Sequence, residues 1–328
     1  METVLVTGGA GFIGSNIAET MALQGYRVVI IDDLSTGKRE NIEALLGTGR
    51  VQFFRGSVLD AGLLKRTIRA NGVSLICHQA AIPSVAKSVL DPVGTSEANI
   101  TGTANLFQVA SEAGCRRIVF ASSSAVYGDG PELLKVESMR FRPKSPYAVS
   151  KITKELFAGV FSQLHTIEIV GLRYFNVYGR RQDPSSDYAA VIPKFIANAL
   201  DNMPITIEGD GLQTRDFAYI DDVVEANIKA LTKEGISGMV FNIACGSRIS
   251  ILDLARMIIE ITASGSAITY LPPRPGDIRD SLADIGNARK YLGFAPEYDI
   301  AVGLRETIRW FREAVQTVPD CEPDVALR

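Results

Sequence analysis

"TVLVTGGAGFIGSN", Thr3 to Asn16, decides how the rest of the chain is read. The apolar run Thr3–Gly8 ends in glycine, and a helical pattern follows from about Ile13 to Gln24. Gly8, Gly11 and Gly14 fall between the two. The first permits a tight turn. The second lets backbone N–H groups approach a pyrophosphate, and the third lets helix pack on strand. A turn before a glycine-capped helix would carry the same triplet, so the strand before and the helix after carry the weight. A second buried strand, "RVVIIDD" (27–33), brings Asp32 to its end about 20 residues on. A carboxylate there accepts from an adenosine ribose 2′-hydroxyl and repels a 2′-phosphate, which points to NAD over NADP.

Outward from this unit the alternation continues. "VQFFRGSV" (51–58), "SLICHQAA" (74–81), "RRIVFASSS" (116–124) and "IEIVGLRYFNVYG" (167–179) read as strands. Helical patterns at 60–72, 99–115 and 145–164 separate them. Continuous Val/Ile-rich strands between helices predict a doubly wound parallel (Rossmann) sheet covered on both faces, an α/β fold. After Gly179 turn residues become frequent and strands short ("ITIEG", 205–209; "AITYLPP", 267–273). Helices are expected at 217–234, 250–263 and 301–315. The expected organisation is an NAD-binding domain over 1–179, with 217–245 packing back on it. A smaller α/β substrate domain takes 180–216 and 246–315, and 316–328 is a tail.

Composition excludes several classes. At 328 residues, 46% hydrophobic and 22% charged, the chain has room for two domains of a soluble protein. A net charge of −3 gives no basic field for nucleic acid. No apolar run reaches the ~18 residues that span a bilayer. The start has no basic region and runs straight into a strand, so no signal peptide is expected. Cys77, Cys115, Cys245 and Cys321 lie far apart, as reduced cytoplasmic thiols would. His78 and His165 are the only histidines, which speaks against a metal site or a Ser-His-Asp triad.

Two features suggest chemistry. The strand at 116–124 ends in Ser122, Ser123 and Ser124, either a solvated loop or a hydroxyl aimed at something reactive. "SPYAVSKITKELF" puts Tyr147 and Lys151 four apart, on one helix face. A nearby ammonium favours phenolate, so Lys151 is expected to lower the Tyr147 pKa from ~10 and make it a usable base. An ordinary surface pair would have the same spacing.

With these residues on the page, the chain resembles the extended short-chain dehydrogenase/reductase family. Within it, the chain resembles nucleotide-sugar 4-epimerases of the UDP-galactose/UDP-N-acetylglucosamine type. "TGGAGFIG", "DDLSTG", "HQAA", "SSSAVYG", "YAVSK", "RYFNVYG", "RDFAYIDDV" and "RPGD" carry the resemblance, from Thr3 to about Arg312. It implies that Phe12 and Ile13 lie along the pyrophosphate and that Asp32 holds the ribose. Ser57 replaces the carboxylate that usually meets the adenine amine, while Val58 packs on the ring. Ala80 and Ala81 line the cofactor cleft and Asn99 braces it. Lys151 bonds the nicotinamide ribose, Tyr174 meets the nicotinamide, and Asn176 contacts the substrate diphosphate. Ser123 is the implied partner of Tyr147 in proton transfer; Ser124 faces the sugar and Ser122 is structural. Ser84 and Lys87 lie where the sugar's outer edge is read. Arg215 and Arg274 are the diphosphate arginines, suited to phosphate oxygens. Phe217 flanks the nucleotide, Asp277 a ribose hydroxyl, and "YAAVIPKF", with Val191, covers the uracil.

The implied activity is NAD-dependent inversion at C4 of a UDP-hexose through a 4-keto sugar. A 4,6-dehydratase would carry Asp-Glu where Ser124 and Ala125 stand, and a UDP-glucuronate decarboxylase a Glu at 125. A small gate residue, Ser281, implies room for an N-acetyl group; it could also be an ordinary strand residue. A homodimer through helices 99–115 and 145–164 is implied by the same resemblance. The alternatives are another nucleotide-sugar enzyme of this fold, reductase or dehydratase, and a non-catalytic NAD-binding protein.

Overall fold

The structure is a computed structural model that describes residues 2–184, 190–273 and 279–316. Its centre is a seven-stranded sheet, all parallel. The strands are β1 (Thr3–Thr7), β2 (Arg27–Asp32), β3 (Val51–Arg55), β4 (Leu75–His78), β5 (Arg117–Ser123), β6 (Glu168–Tyr174) and β7 (Val240–Ile243). Their spatial order is 7-6-5-4-1-2-3. The chain winds outward from β1 to β3, returns to β4, and winds the other way. That reversal leaves a crevice beyond the carboxyl ends of β1 and β4, where a doubly wound sheet receives ligands.

Helices α1 (Phe12–Leu23), α2 (Glu40–Leu46) and α3 (Ala61–Ala70) follow the first three strands. Gly8 sits at φ +69°, and a Cβ there would lie 2.6 Å from Ala80 N. A Cβ on Gly14 would lie 2.1 Å from the Gly8 carbonyl, so α1 reaches the turn only because that side chain is absent. The helix expected from Asn99 begins earlier and is not regular. It runs from α4 (Val85–Leu90) into α5 (Pro92–Ser96), widens by one turn over Glu97–Thr101, and continues as α6 (Gly102–Glu112). Asn99 lies buried in the widened turn. Such a bulge frequently marks a functional site.

Helix α7 (Pro146–Leu164) starts at a defined point. Ser145 caps it, accepting from Ala148 N–H at 3.1 Å, and Pro146 supplies a pre-set first position. The start fixes Tyr147 in the first turn and Lys151 in the next.

α9 (Ile220–Thr232) packs on α1, and β7 behind it pairs with β6. β7 is a strand that the sequence reading did not separate from its surroundings; "VFNI" is only four residues long. The remainder forms a smaller lobe. There α8 (Val191–Leu200) packs on α10 (Ile251–Thr262) and on α11 (Ile300–Gln316). Ile205–Glu208 pairs in parallel with Ile268–Leu271. The apolar core of this lobe, with Ile196, Leu254 and Ile258, is continuous with Val4, Ile17 and Ile30 under the sheet. Each such side chain contributes roughly 1.5–3 kcal/mol on burial, so the two lobes stabilise one another.

Candidate active site

The crevice holds a cavity of about 600 Å³. Strand order distributes its lining. Asp32, Ser57 and Val58 line it beyond β2 and β3. Gly8, Gly11, Phe12, Ile13 and Gly14 line the middle, with Ala80 and Ala81 as a wall. Ser123, Ser124, Tyr147, Lys151 and Tyr174 line the end beyond β5 and β6. The Asp32 carboxylate is tied to the glycine loop, accepting from Ala10 N–H at 3.0 Å and Leu34 N–H at 2.8 Å. Burial pushes its pKa up, and these two donors pull it down. A loop without room for Cβ atoms, an acidic group fixed one strand away and an elongated cavity together fit a dinucleotide.

The three serines diverge. Ser122 Oγ donates to Glu155 Oε1 at 2.5 Å. Glu155 is paired twice with Arg173, at 2.6 and 2.8 Å. Arg173 also donates to the Tyr127 hydroxyl at 2.8 Å, and Tyr127 to Asn242 Oδ1 at 2.6 Å. This buried network anchors the serine loop. The Ser123 hydroxyl lies near enough to the Tyr147 phenol to pull its pKa down, and it accepts from Ala125 N–H at 3.2 Å. Ser124 and Ala125 line the cavity beside it.

Lys151 Nζ lies 5.4 Å from the centre of the Tyr147 ring and donates to the Ala121 carbonyl at 3.0 Å. Burial holds its pKa down at about 8, with Glu155 raising it in part. The expected depression of the Tyr147 phenol is not found in the protein alone. Burial pushes it up and outweighs the pull of the Ser123 hydroxyl, and the ammonium lies near the ring rather than paired with the hydroxyl.

Asn99 does not line the cavity but braces it from behind. Its Oδ1 accepts from Ile82 N–H at 2.8 Å, and its Nδ2 donates to Ser150 Oγ at 3.0 Å. His78 lies deeper, between the hydroxyls of Thr7 (2.7 Å) and Thr103 (2.9 Å). Thr103 donates to the Asn99 carbonyl at 2.6 Å. Burial keeps this ring neutral. Among the described residues no group of His, Cys, Asp and Glu could hold a metal ion. Cys77, Cys115 and Cys245 are free thiols; Cys321 lies outside the described residues.

A second cavity of about 260 Å³ opens toward the smaller lobe, lined by Val191, Arg215 and Phe217. Asn176, Val177 and Ala190 line both, so the two cavities adjoin. Three expected contacts line neither. The Ser84 hydroxyl caps α4, accepting from Lys87 N–H at 3.1 Å, and Lys87 is exposed. Ser281 is buried, its N–H donating to the Thr214 carbonyl at 3.1 Å. Arg274 and Asp277 lie outside the described residues.

Sequence reasoning missed Gln79 and Gln182, which line the first cavity. It also missed Lys154, fully buried with Nζ 3.3 Å from His78 Nε2. Arg173 and Glu155 were passed over too, although an arginine inside the apolar "IVGLRYF" was a visible signal of a buried pair.

The family model for the NAD-dependent epimerase/dehydratase family matches residues 4–244. A UDP-N-acetylglucosamine 4-epimerase from Methanobrevibacter ruminantium M1, solved with UDP-N-acetylmuramic acid, is 38% identical. It superposes with a TM-score of 0.90 over 95% of this chain and 99% of its own. The UDP-glucose 4-epimerase of Thermus thermophilus, solved with NAD, is 37% identical with a TM-score of 0.87 over the same shares, 95% and 99%. Similarity at this level is not confined to epimerases. A UDP-N-acetyl-alpha-D-glucosaminuronate decarboxylase from Bacillus cytotoxicus is 34% identical over 94% of this chain and 97% of its own. The chain belongs to the NAD-dependent epimerase/dehydratase family.

Proposed function

We propose that this protein interconverts the C4 epimers of a UDP-hexose, with NAD in the larger cavity and the nucleotide of the substrate in the smaller one. The observation that carries this is the inner end of the larger cavity, where Ser123, Tyr147 and Lys151 meet and Ala125 stands beside them. Gly8, Gly11 and Gly14 admit the pyrophosphate, Asp32 the adenosine ribose, and Ser57 and Val58 the adenine. When bound, the nicotinamide supplies a hydride acceptor and donor at the sugar carbon. Tyr147 takes the O4 proton as C4 is oxidised and returns it when C4 is reduced from the other face. Ser123 holds O4 and carries the proton to the phenol. Lys151, with the cationic cofactor, shifts the phenol toward phenolate, which burial alone opposes. Asn176, Arg215, Phe217 and Val191 hold the nucleotide and its diphosphate.

A dehydratase or decarboxylase needs acid–base groups beyond the phenol, and residues 124 and 125 offer a hydroxyl and a methyl. The exposed apolar residues Val149, Leu156, Val160 and Leu164 on α7, with Val85, Val89, Leu90 and Val93 beside them, support pairing with a second copy. On this reading α4 and α5, more than residues 99–115, supply the other half of that face.

The test is a paired assay. Purified protein with its bound NAD is given UDP-glucose and UDP-N-acetylglucosamine separately, and the 4-epimers are measured. Turnover of both, without net NADH, is expected. Turnover of neither, or accumulation of a dehydrated or decarboxylated product, sinks the reading.

A further inference from the structure

Asp216 has no part in that reading, yet it is fully buried between Arg215 and Phe217. Its carboxylate meets only donors. Oδ1 accepts from Cys245 N–H at 3.1 Å and Gly246 N–H at 3.3 Å. Oδ2 accepts from Gly246 N–H at 3.2 Å and Ala283 N–H at 3.1 Å. The Asp216 carbonyl in turn accepts from Asn176 Nδ2 at 2.7 Å, at a residue held at φ +32°. One residue therefore joins four stretches of chain: 214–217, Asn176 just beyond β6, the turn after β7, and the short strand Leu282–Ala283. The Ser281 N–H, bonded to the Thr214 carbonyl, closes the same joint from its other side. A protonated carboxyl would have no acceptor in this array, so the geometry asks for the carboxylate. Burial pushes its pKa up to about 7 against the pull of the backbone donors.

We propose that Asp216 is a positioning residue for the substrate. It holds Arg215, Phe217 and Asn176, three walls of the nucleotide cavity, in register with residues 245–246 and 281–283. This rests on the nucleotide-sugar reading above. It also goes beyond it, because affinity for the nucleotide then depends on a side chain that lines neither cavity.

The experiment uses NAD-loaded protein and the variant Asp216→Asn, whose amide nitrogen turns a donor toward a backbone N–H. Binding of UDP is measured by calorimetry, and kcat and KM with the better UDP-sugar. The UDP dissociation constant and KM are expected to rise about tenfold. kcat should stay within about threefold and bound NAD per chain unchanged. Unchanged UDP affinity, or a fall in kcat with KM unmoved, overturns the proposal. If the variant does not fold, the wild-type protein supplies the second arm. UDP should slow hydrogen exchange at the amides of Cys245, Gly246 and Ala283, none of which lines either cavity. Exchange there that ignores UDP overturns the proposal. A wild-type protein that binds no UDP at all overturns the nucleotide-sugar reading itself, and this proposal with it.

Discussion

Two charged arrangements stand one turn apart on α7, and they are opposites. Glu155 is saturated: both oxygens meet Arg173, one also takes the Ser122 hydroxyl, and Arg173 is bonded onward to Tyr127. Lys151 is equally buried but has one carbonyl as its hydrogen-bond partner, and among the described residues no carboxylate pairs with it. A buried charge without a counter-ion is costly to hold, and its pKa moves toward the neutral form, as it does for Lys151. A fully paired buried ion contributes to the shape of the fold; an under-paired one on a cavity wall is kept for a ligand. On the proposed function, the first group belongs to the scaffold and the second to the chemistry.

The strongest test of that division is Glu155→Gln. It leaves Arg173 buried with half of its partner, and breaking a buried pair from one side costs about 3–5 kcal/mol. The loss should appear in denaturant unfolding, while the folded remainder, assayed well below pH 8 because Glu155 helps to keep Lys151 protonated, keeps kcat within about threefold. A large fall in kcat with stability intact would erase the distinction.

Lys151→Met should do the reverse. Removing an under-paired buried cation is expected to leave stability equal or higher, while kcat drops on the order of 100-fold. Titration adds a sign. Lys151 is held at about 8, so wild-type activity that needs its ammonium falls as pH rises through that value, and the variant lacks this alkaline limb. Stability moves the other way. The unfolded lysine titrates near ~10.4, so between the two values the unfolded state binds more protons and wild-type stability rises with pH. The variant should lose that rise. If Lys151→Met unfolds as readily as Glu155→Gln, the two arrangements are of one kind.

What the sequence made legible follows the same line. Period and strand composition announce the sheet, and the glycine spacing with Asp32 announces the cofactor crevice, because these are local patterns within about thirty residues. Tyr147 and Lys151 were legible by their spacing on one helix. The pairing of Glu155 with Arg173 joins α7 to β6, and the Asp216 array joins four stretches up to 107 residues apart, from Asn176 to Ala283. Contacts of that kind have no period to betray them. β7 was missed because a four-residue edge strand carries too little pattern. The depressed phenol was expected from spacing alone, which reports that two side chains share a face but not how deeply both are buried.

The serines give the finest test, since adjacent residues fall on opposite sides of the division. Ser122→Ala removes one donor from Glu155, which keeps both contacts with Arg173, so the expected cost is about 1 kcal/mol of stability with turnover retained. Ser123→Ala leaves the buried network untouched and takes away the hydroxyl beside the Tyr147 phenol. Its stability should stay within about 0.5 kcal/mol of wild type, while kcat falls about 100-fold with bound NAD unchanged. Both are measured on the same preparation, by denaturant unfolding and initial rates. An alternation of phenotype between neighbours follows from strand geometry, because successive side chains at the end of β5 point to opposite faces. If both variants lose stability, or both lose turnover, the serine stretch is a single unit and Ser123 has no separate part in the chemistry.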